Sequence, residues 1–296
     1  MKAIDVHVHF STAEGRRKWG HYGDALETYF RFKLEVMTEE EMGNYYREHD
    51  IMGVLLPVDD ESVSGIKPIP HEYVADMVKM FPDTFIGFAG VDPWKGKAAI
   101  EELERAVKDL GLRGAKFQQA SQAFFPNDRR FYPLWEKCVE LGIPVLFHCG
   151  TTGLGAGMPG GLGIKLKYVD PLPIDDVAAD FPELKIICAH PAWPWTDVAI
   201  AMAVHKANVF VDLSGWSPKY FPPQLVREVN SRLQDKALFG TDYPFIKPDR
   251  WLRDFEKLDI KPEVRPKVLV ENARNCLLYT SPSPRDLSTS RMPSSA

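Results

Sequence analysis

The stretch AIDVHVH at residues 3–9 is an apolar, β-branched run that ends in two histidines one residue apart. Successive side chains of a β-strand point to opposite faces, so this spacing predicts that Asp5, His7 and His9 share one face. Imidazole suits zinc, iron or nickel, and two imidazoles at the end of a strand can converge on one ion. Two polar side chains on the wet face of a strand are the alternative at this point.

Similar apolar runs recur along the chain and alternate with helical patterns. The predicted strands are 3–9, 52–57, 84–91, 112–118, 144–148, 185–190, 208–213 and 237–241. The runs are continuous, which is typical of parallel strands buried beneath helices. Eight strands, each followed by a helix, predict one α/β domain over residues 1–275, folded as a closed (β/α)8 barrel of the TIM type.

Three long connections follow predicted strands, at residues 10–37, 58–70 and 149–172. In a barrel such connections lie on the catalytic face, so we expect them to form the lid and the walls of a pocket. The third contains a G-x-G-x-x-G pattern at residues 155–160. A dinucleotide site needs this pattern to open a helix directly after a strand, and the surrounding proline and glycines favour a mobile loop instead.

Charge and composition exclude several classes of protein. The formal net charge is −5 with no basic stripe, which argues against a nucleic-acid partner. No apolar stretch approaches the length of a membrane span, and residues 1–5 lack the features of a signal peptide. The 4 cysteines are scattered, with no C-x-x-C pair, which fits a reduced, cytoplasmic protein. The expected partner is a small-molecule substrate, and a homodimer is a possible assembly.

The last segment, residues 276–296, breaks the barrel pattern. It reads CLLYTSPSPRDLSTSRMPSSA, rich in serine, proline and threonine and without periodicity. This composition is typical of a disordered tail. The segment also closely resembles the translation of a sequencing adaptor. We therefore interpret it as an artefact, exclude it from the fold prediction, and expect the natural sequence after Asn275 to be missing.

Titratable residues stand where four of the predicted strands end. They are His7 and His9 on the first strand, His148 on the fifth, His190 on the sixth, and Asp242 after the eighth. The carboxyl ends of barrel strands meet at one rim, where catalytic residues gather. Each residue alone has a structural alternative, as a buried histidine or a turn aspartate. Five of them at one rim favour a metal site.

With these motifs the chain resembles the amidohydrolase superfamily, in particular the branch that includes aminocarboxymuconate-semialdehyde decarboxylase. The motifs are DVHVH at 5–9, FHCG at 147–150, AHPAWPW at 189–195, GTDYPF at 240–245 and ENARN at 271–275. The resemblance implies one divalent metal, zinc in the first instance, with four ligands: His7, His9, His148 and Asp242. It also implies that His190 is the general acid or base beside metal-activated water, and that Asp242 shuttles a proton.

Further residues take supporting roles. Asp5 is interpreted as a group that fixes a histidine tautomer, with hydrogen bonding to the backbone as the alternative. Lys116 ends the fourth strand, where binuclear members of the superfamily carry a carboxylated lysine. The decarboxylase-like branch does not need one, so Lys116 is interpreted as a contact to a substrate carboxylate or as a structural residue.

An aromatic set after the sixth and seventh strands is expected to form a pocket wall for a flat ring or an acyl chain. It comprises Trp193, Trp195, Trp216 and Tyr220. Packing of loops against helices is the alternative for these residues. The surrounding segment resembles hydrolases of aromatic β-ketoacyl-CoA thioesters.

Two reactions use the same predicted residues. Hydrolysis of a small carboxylated or acyl substrate by metal-activated water is the first interpretation. Non-oxidative decarboxylation of an aromatic or semialdehyde carboxylate is the alternative, and the ligand motif does not separate the two. A non-catalytic metal-binding barrel is a third class, which the retention of all five rim residues disfavours.

Overall fold

A computed structural model describes residues 1–277. Its strands are β1 Ala3–Val8, β2 Ile51–Leu55, β3 Phe85–Gly87, β4 Ala89–Gly90, β5 Ala115–Phe117, β6 Val145–His148, β7 Ile186–Ala189, β8 Val209–Asp212 and β9 Ala237–Leu238. Each predicted strand is present. The predicted strand 84–91 is divided at Phe88, between β3 and β4.

Helices separate the strands along the chain. They are α1 Ala13–Phe30, α2 Glu39–Glu48, α3 Glu61–Ser64, α4 His71–Met80, α5 Lys97–Lys108, α6 Gln119–Gln122, α7 Tyr132–Leu141, α8 Leu172–Asp180, α9 Thr196–His205, α10 Pro223–Val229, α11 Pro248–Glu256 and α12 Asn272–Leu277. Among residues 1–277, no helix is both long and apolar enough to cross a membrane.

The strands pair in parallel in two groups, β1 to β3 and β4 to β9, and backbone hydrogen bonds join the groups into a ring. At one junction Phe88 donates its N–H to the carbonyl of Leu55 at 3.0 Å. At the other, the N–H of Val6 donates to Phe239 at 3.0 Å, and a parallel bridge joins Val8 to Tyr243. The predicted (β/α)8 barrel is confirmed.

The apolar core has two layers, one between strands and helices and one inside the barrel. The inner cluster comprises Ile4, Val6, Val54, Leu56, Ile86, Phe88, Leu146, Ile187, Ala189 and Leu238, with Ala273, Cys276 and Leu277 of α12. Cys276 and Leu277 are buried, so the predicted domain end at residue 275 falls two residues inside the last helix. Residues 278–296, the rest of the predicted artefactual tail, lie outside the described residues.

The first long connection folds largely into α1. This helix kinks at Gly20, whose φ of 48° and ψ of −136° suit glycine because a side chain would strain the backbone there. The next helix, α2, begins with a capping box: Glu41 donates its N–H to the Thr38 hydroxyl at 3.1 Å, and the Thr38 N–H donates back to the Glu41 carboxylate at 2.8 Å.

Two truncations test the end of the domain. Removing residues 278–296 is expected to leave the melting temperature unchanged. Removing 276–296 is expected to lower it by about 4 °C or more, because burial of a leucine contributes about 1.5–3 kcal/mol and each kcal/mol corresponds to roughly 2–4 °C in a domain of this size. Calorimetry on both truncations and the full chain measures this. Equal melting temperatures of the two truncations would contradict the packing of α12.

Candidate metal centre

A β-bulge in β1 turns His7 toward the inside of the barrel. Asp5 pairs with Gly53 and Val8 pairs with Leu55, so β1 has one residue more than β2 between these pairs. A bulge interrupts the alternation of a strand and re-aims the side chain beside it. The prediction that Asp5 and His7 share one face is therefore wrong, since the extra residue lies between them.

The rings of His7 and His9 are both held at Nδ1. The Nδ1 of His7 lies 2.6 Å from the buried Asp212 carboxylate, and the Nδ1 of His9 lies 3.1 Å from the Leu56 carbonyl. Metal-binding histidines usually donate the second ring nitrogen to such an acceptor, which fixes the tautomer. This arrangement leaves Nε2 of each ring available to a metal.

Asp242 lies against these two Nε2 atoms. Its Oδ1 is 3.2 Å from Nε2 of His9 and 3.5 Å from Nε2 of His7. The backbone of Asp242 is left-handed, with φ of 64°, and its N–H donates to the His7 carbonyl at 2.9 Å. Among the described residues, His7, His9 and Asp242 form a set whose ligand atoms all lie within 4.8 Å of one another.

His148 supplies a buried ring nitrogen without a partner. Its Nδ1 lies 3.1 Å from Nε2 of His190, while its Nε2 has no hydrogen-bond partner within residues 1–277. A buried polar atom left unsatisfied costs about 1–3 kcal/mol, so a native protein normally provides a partner. Burial lowers the pKa of His148 and of His7, which keeps both rings neutral and their lone pairs free. These properties fit a divalent transition metal.

His190 belongs to a second set, with His7 and Asp212, that also lies within 4.8 Å. The Ser214 hydroxyl links its members, at 2.9 Å from Nδ1 of His190, 3.0 Å from Nδ1 of His7 and 2.8 Å from Asp212. The 2.6 Å separation between His7 and Asp212 is that of a charge-assisted hydrogen bond. We therefore interpret Asp212 and Ser214 as the residues that hold the rings of His7 and His190 in position.

The prediction that Asp5 fixes a histidine tautomer is wrong. Its carboxylate accepts hydrogen bonds from the N–H and hydroxyl of Thr241, at 2.9 and 2.5 Å, and from the Tyr46 hydroxyl at 3.1 Å. It reaches His7 only at the backbone N–H, at 3.1 Å. Asp5 thus holds the turn that carries Asp242, as in the backbone alternative. Burial raises the pKa of Asp5 to about 7.

The sequence analysis did not identify Asp212 or Ser214 as residues of the site. Asp212 ends the apolar run of β8, a position at the catalytic rim that could have marked it. It is fully buried, and burial raises its pKa to about 8. A carboxylate in such a place needs hydrogen-bond donors, which Ser214 and His7 provide.

Lys116, at the carboxyl end of the barrel, is almost completely buried. Its Nζ lies 3.3 Å from Nε2 of His7, and no carboxylate of the described residues forms an ion pair with it. Burial lowers its pKa to about 8, although Asp242 and Asp212 act in the opposite direction. The predicted substrate contact is therefore located beside the histidines, as an amine without an anionic partner.

A cavity of about 750 Å³ opens above these groups. Of the predicted aromatic set, Trp193, Trp216 and Tyr220 line it, whereas Trp195 does not. Trp195 precedes α9, where its backbone caps the helix. The predicted lid segment 10–37 also contributes to the lining, with Trp19, Tyr22, Leu26, Tyr29, Phe30 and Phe32.

The sequence matches the amidohydrolase family over residues 4–277, and the chain belongs to that family. The 2-amino-3-carboxymuconate-6-semialdehyde decarboxylase of Dictyostelium discoideum is 23% identical over 301 residues, covering 82% of this chain and 81% of that protein.

Two solved structures show the same fold. A TIM-barrel protein of Bordetella bronchiseptica aligns with a TM-score of 0.73 and 24% identity, over 93% of this chain and 98% of its own. A dihydroxybenzoic acid decarboxylase of a Polaromonas species, with bound manganese and 2-nitroresorcinol, aligns with a TM-score of 0.64 and 22% identity, over 93% and 96%. The protein is a metal-dependent hydrolase or carboxy-lyase of the amidohydrolase superfamily.

The substitution Asp212→Asn tests the support of His7. We expect metal affinity to fall by about 10–100-fold, the usual effect of removing an acceptor behind a ligand histidine. Metal content by mass spectrometry and competition with a chelator measure this. Asp197→Asn, at an exposed acid on α9, is the control. Unchanged affinity in Asp212→Asn would contradict the role given to this carboxylate.

Proposed function

We propose that the protein catalyses the non-oxidative decarboxylation of an aromatic carboxylate. The observation that carries this proposal is the buried, anion-free amine of Lys116 beside the histidine cluster, at the floor of an aromatic-walled cavity. An ammonium there provides a counterion for a substrate carboxylate. The similar proteins named as decarboxylases of a carboxymuconate semialdehyde and of dihydroxybenzoic acid support the same reaction. They favour it over hydrolysis, the first interpretation from the sequence.

The proposed metal ligands are His7, His9, His148 and Asp242. Three imidazoles and one carboxylate favour zinc, and the manganese in the related Polaromonas structure makes manganese the alternative that metal analysis distinguishes. A metal held by these residues supplies Lewis-acid polarisation of the substrate's oxygen atoms. The unpartnered Nε2 of His148 and the rings fixed at Nδ1 support this assignment.

The protein's own groups bind, orient and protonate the substrate. Lys116 pairs with the reacting carboxylate, and Trp193 and Trp216 contribute apolar surface for the ring. The bond between the ring carbon and the carboxylate breaks, its electron pair stays on the ring carbon, and carbon dioxide leaves. His190 relays a proton from solvent to this carbon and is neutral again after the transfer, and Ser214 and Asp212 hold the imidazole in place behind it.

The proposal is tested with a panel of hydroxylated benzoates, beginning with 2,6-dihydroxybenzoate, and a parallel panel of aryl esters and acyl-CoA thioesters. We expect carbon dioxide release from the first panel and no metal-dependent hydrolysis in the second. Release of thiol or alcohol without carbon dioxide would assign hydrolysis instead. A small-molecule substrate follows from either reaction, while a homodimer and a cytoplasmic location stay predictions from the sequence.

The His190→Ala variant tests whether His190 acts as an acid–base catalyst or as a metal ligand. We expect it to keep its metal and to lose about 10²–10⁴-fold in turnover, the usual contribution of one acid–base group. His148→Ala is expected to lose metal and activity together. Metal content and carbon dioxide release are measured on both. Metal-free His190→Ala would make this residue a ligand, and wild-type turnover would make it structural.

The Lys116→Gln variant tests the carboxylate contact. The neutral amide is expected to raise KM for the benzoate substrate by about 10-fold or more, since a charge-assisted hydrogen bond contributes roughly 1.5–3 kcal/mol. Metal content should remain unchanged. Lys97→Gln, at an exposed lysine on α5, is the control. An unchanged KM would remove Lys116 from substrate binding.

A further inference from the structure

Arg250 differs from the other cations of its surroundings on and beside α11. Three neighbouring cations are each paired with a carboxylate: Lys247 with Glu35 at 2.9 Å, Arg253 with Asp249 at 3.1 Å, and Lys257 with Asp254 at 3.6 Å. The guanidinium of Arg250 forms no hydrogen bond or ion pair with any of the residues 1–277. It is also the member of this group that lines the cavity.

Two cationic side chains of the cavity form no ion pair within residues 1–277, and they differ in burial. Three cationic side chains line it, namely Lys18, Lys116 and Arg250. Lys18 is neutralised by an ion pair with Asp60, and the Ser64 hydroxyl binds the same carboxylate at 2.7 Å. Lys116 is buried at the floor, whereas Arg250 is exposed at the mouth.

Aromatic and apolar side chains line the cavity together with these two cations. They include Trp216, Tyr220, Phe245 and Ile246. A volume of about 750 Å³ lies within the range of roughly 300–1,000 Å³ that accommodates ligands larger than one substituted ring. The cavity thus has a buried lysine, Lys116, that can bind one anion, apolar walls, and an exposed arginine, Arg250, that has no anionic partner among the described residues.

We propose that Arg250 binds a second anionic group, a carboxylate or a phosphate, at the outer end of the substrate. The inference rests on the proposed function for the inner group, which is the carboxylate beside Lys116. The guanidinium fork matches both carboxylate and phosphate oxygens, and it remains charged at every physiological pH. The preferred substrate class is therefore an aromatic carboxylate that carries a distal anion on an arm, which should bind more tightly than a simple hydroxybenzoate.

Binding of non-reacting probes tests this inference without turnover. The probes are benzoate, benzoates with a para chain of one to four methylene groups ending in a carboxylate, the same chains ending in an amide, and 4-carboxybenzoyl-coenzyme A, which keeps a free ring carboxylate. Dissociation constants come from calorimetry and from quenching of tryptophan fluorescence, since Trp19, Trp193 and Trp216 line the cavity. The variants of the metal-loaded protein are Arg250→Gln and, as the matched control on α11, Arg253→Gln.

We expect one chain length at which the wild-type protein binds the distal carboxylate roughly 10-fold tighter than the distal amide, the lower end for one charge-assisted contact. Arg250→Gln should remove this preference and leave benzoate binding unchanged, and Arg253→Gln should keep it. If an Arg250-dependent gain over benzoate is confined to 4-carboxybenzoyl-coenzyme A, the distal anion is a phosphate.

Several results would overturn the inference. One is equal affinity for the carboxylate and amide probes, with no gain in affinity from the coenzyme A probe. Another is a preference for the distal carboxylate that survives Arg250→Gln, or a loss of benzoate affinity in that variant as large as the loss for the dianions. The last is that no probe binds. The proposed function fails separately. A protein that binds dianions through Arg250 but releases no carbon dioxide contradicts the decarboxylase assignment alone, whereas carbon dioxide release without any dianion preference contradicts this inference alone.

Discussion

The site depends on the hydrogen bonds that join the first barrel strand to the turn after the last. Asp242 donates its N–H to the His7 carbonyl at 2.9 Å, and Thr241 donates its N–H to the Asp5 carboxylate at 2.9 Å. These contacts close the barrel and at the same time bring side chains from both ends of the chain to one point. Without closure, His7 and Asp242 would lie at opposite edges of an open sheet, and no shared ion could bridge them.

Burial then determines what these groups can do. Burial is the largest influence on the pKa of three of these groups: against the opposing effect of their neighbours, the pKa of Asp5 is raised to about 7, that of Asp212 is raised to about 8, and that of Lys116 is lowered to about 8. Such groups remain in a barrel interior only when hydrogen bonds or an ion compensate the lost hydration. Asp5 has backbone and hydroxyl donors, and Asp212 has Ser214 and His7. Nε2 of His148 has no hydrogen-bond partner among the described residues, and the amine of Lys116 contacts Nε2 of His7 but forms no ion pair there; both residues line the cavity.

The sequence predicts most of the fold because the strands are buried on both sides and therefore read as continuous apolar runs. Residues at strand ends, such as His148 and His190, were found for the same reason, since a polar residue after an apolar run stands out. The bulge in β1 is not visible in the pattern of apolar residues. The assumption of strict alternation therefore placed Asp5 on the wrong face of the strand. Asp212 was overlooked inside a predicted strand, and Trp195 was included because sequence proximity to Trp193 does not fix the direction of a side chain.

The ligand motif alone does not separate hydrolysis from decarboxylation, because both reactions need polarised oxygens and a positioned proton. The difference lies in what surrounds the metal position. A hydrolase must stabilise a tetrahedral oxyanion and activate water, whereas a decarboxylase must hold a carboxylate and protonate a carbon. The amine of Lys116 beside His7, the ring of His190 beside His148, and the aromatic lining of the cavity match the second set of demands. For the proposed reaction, we therefore attribute the specificity to the residues of the loops and to Lys116 rather than to the histidine cluster.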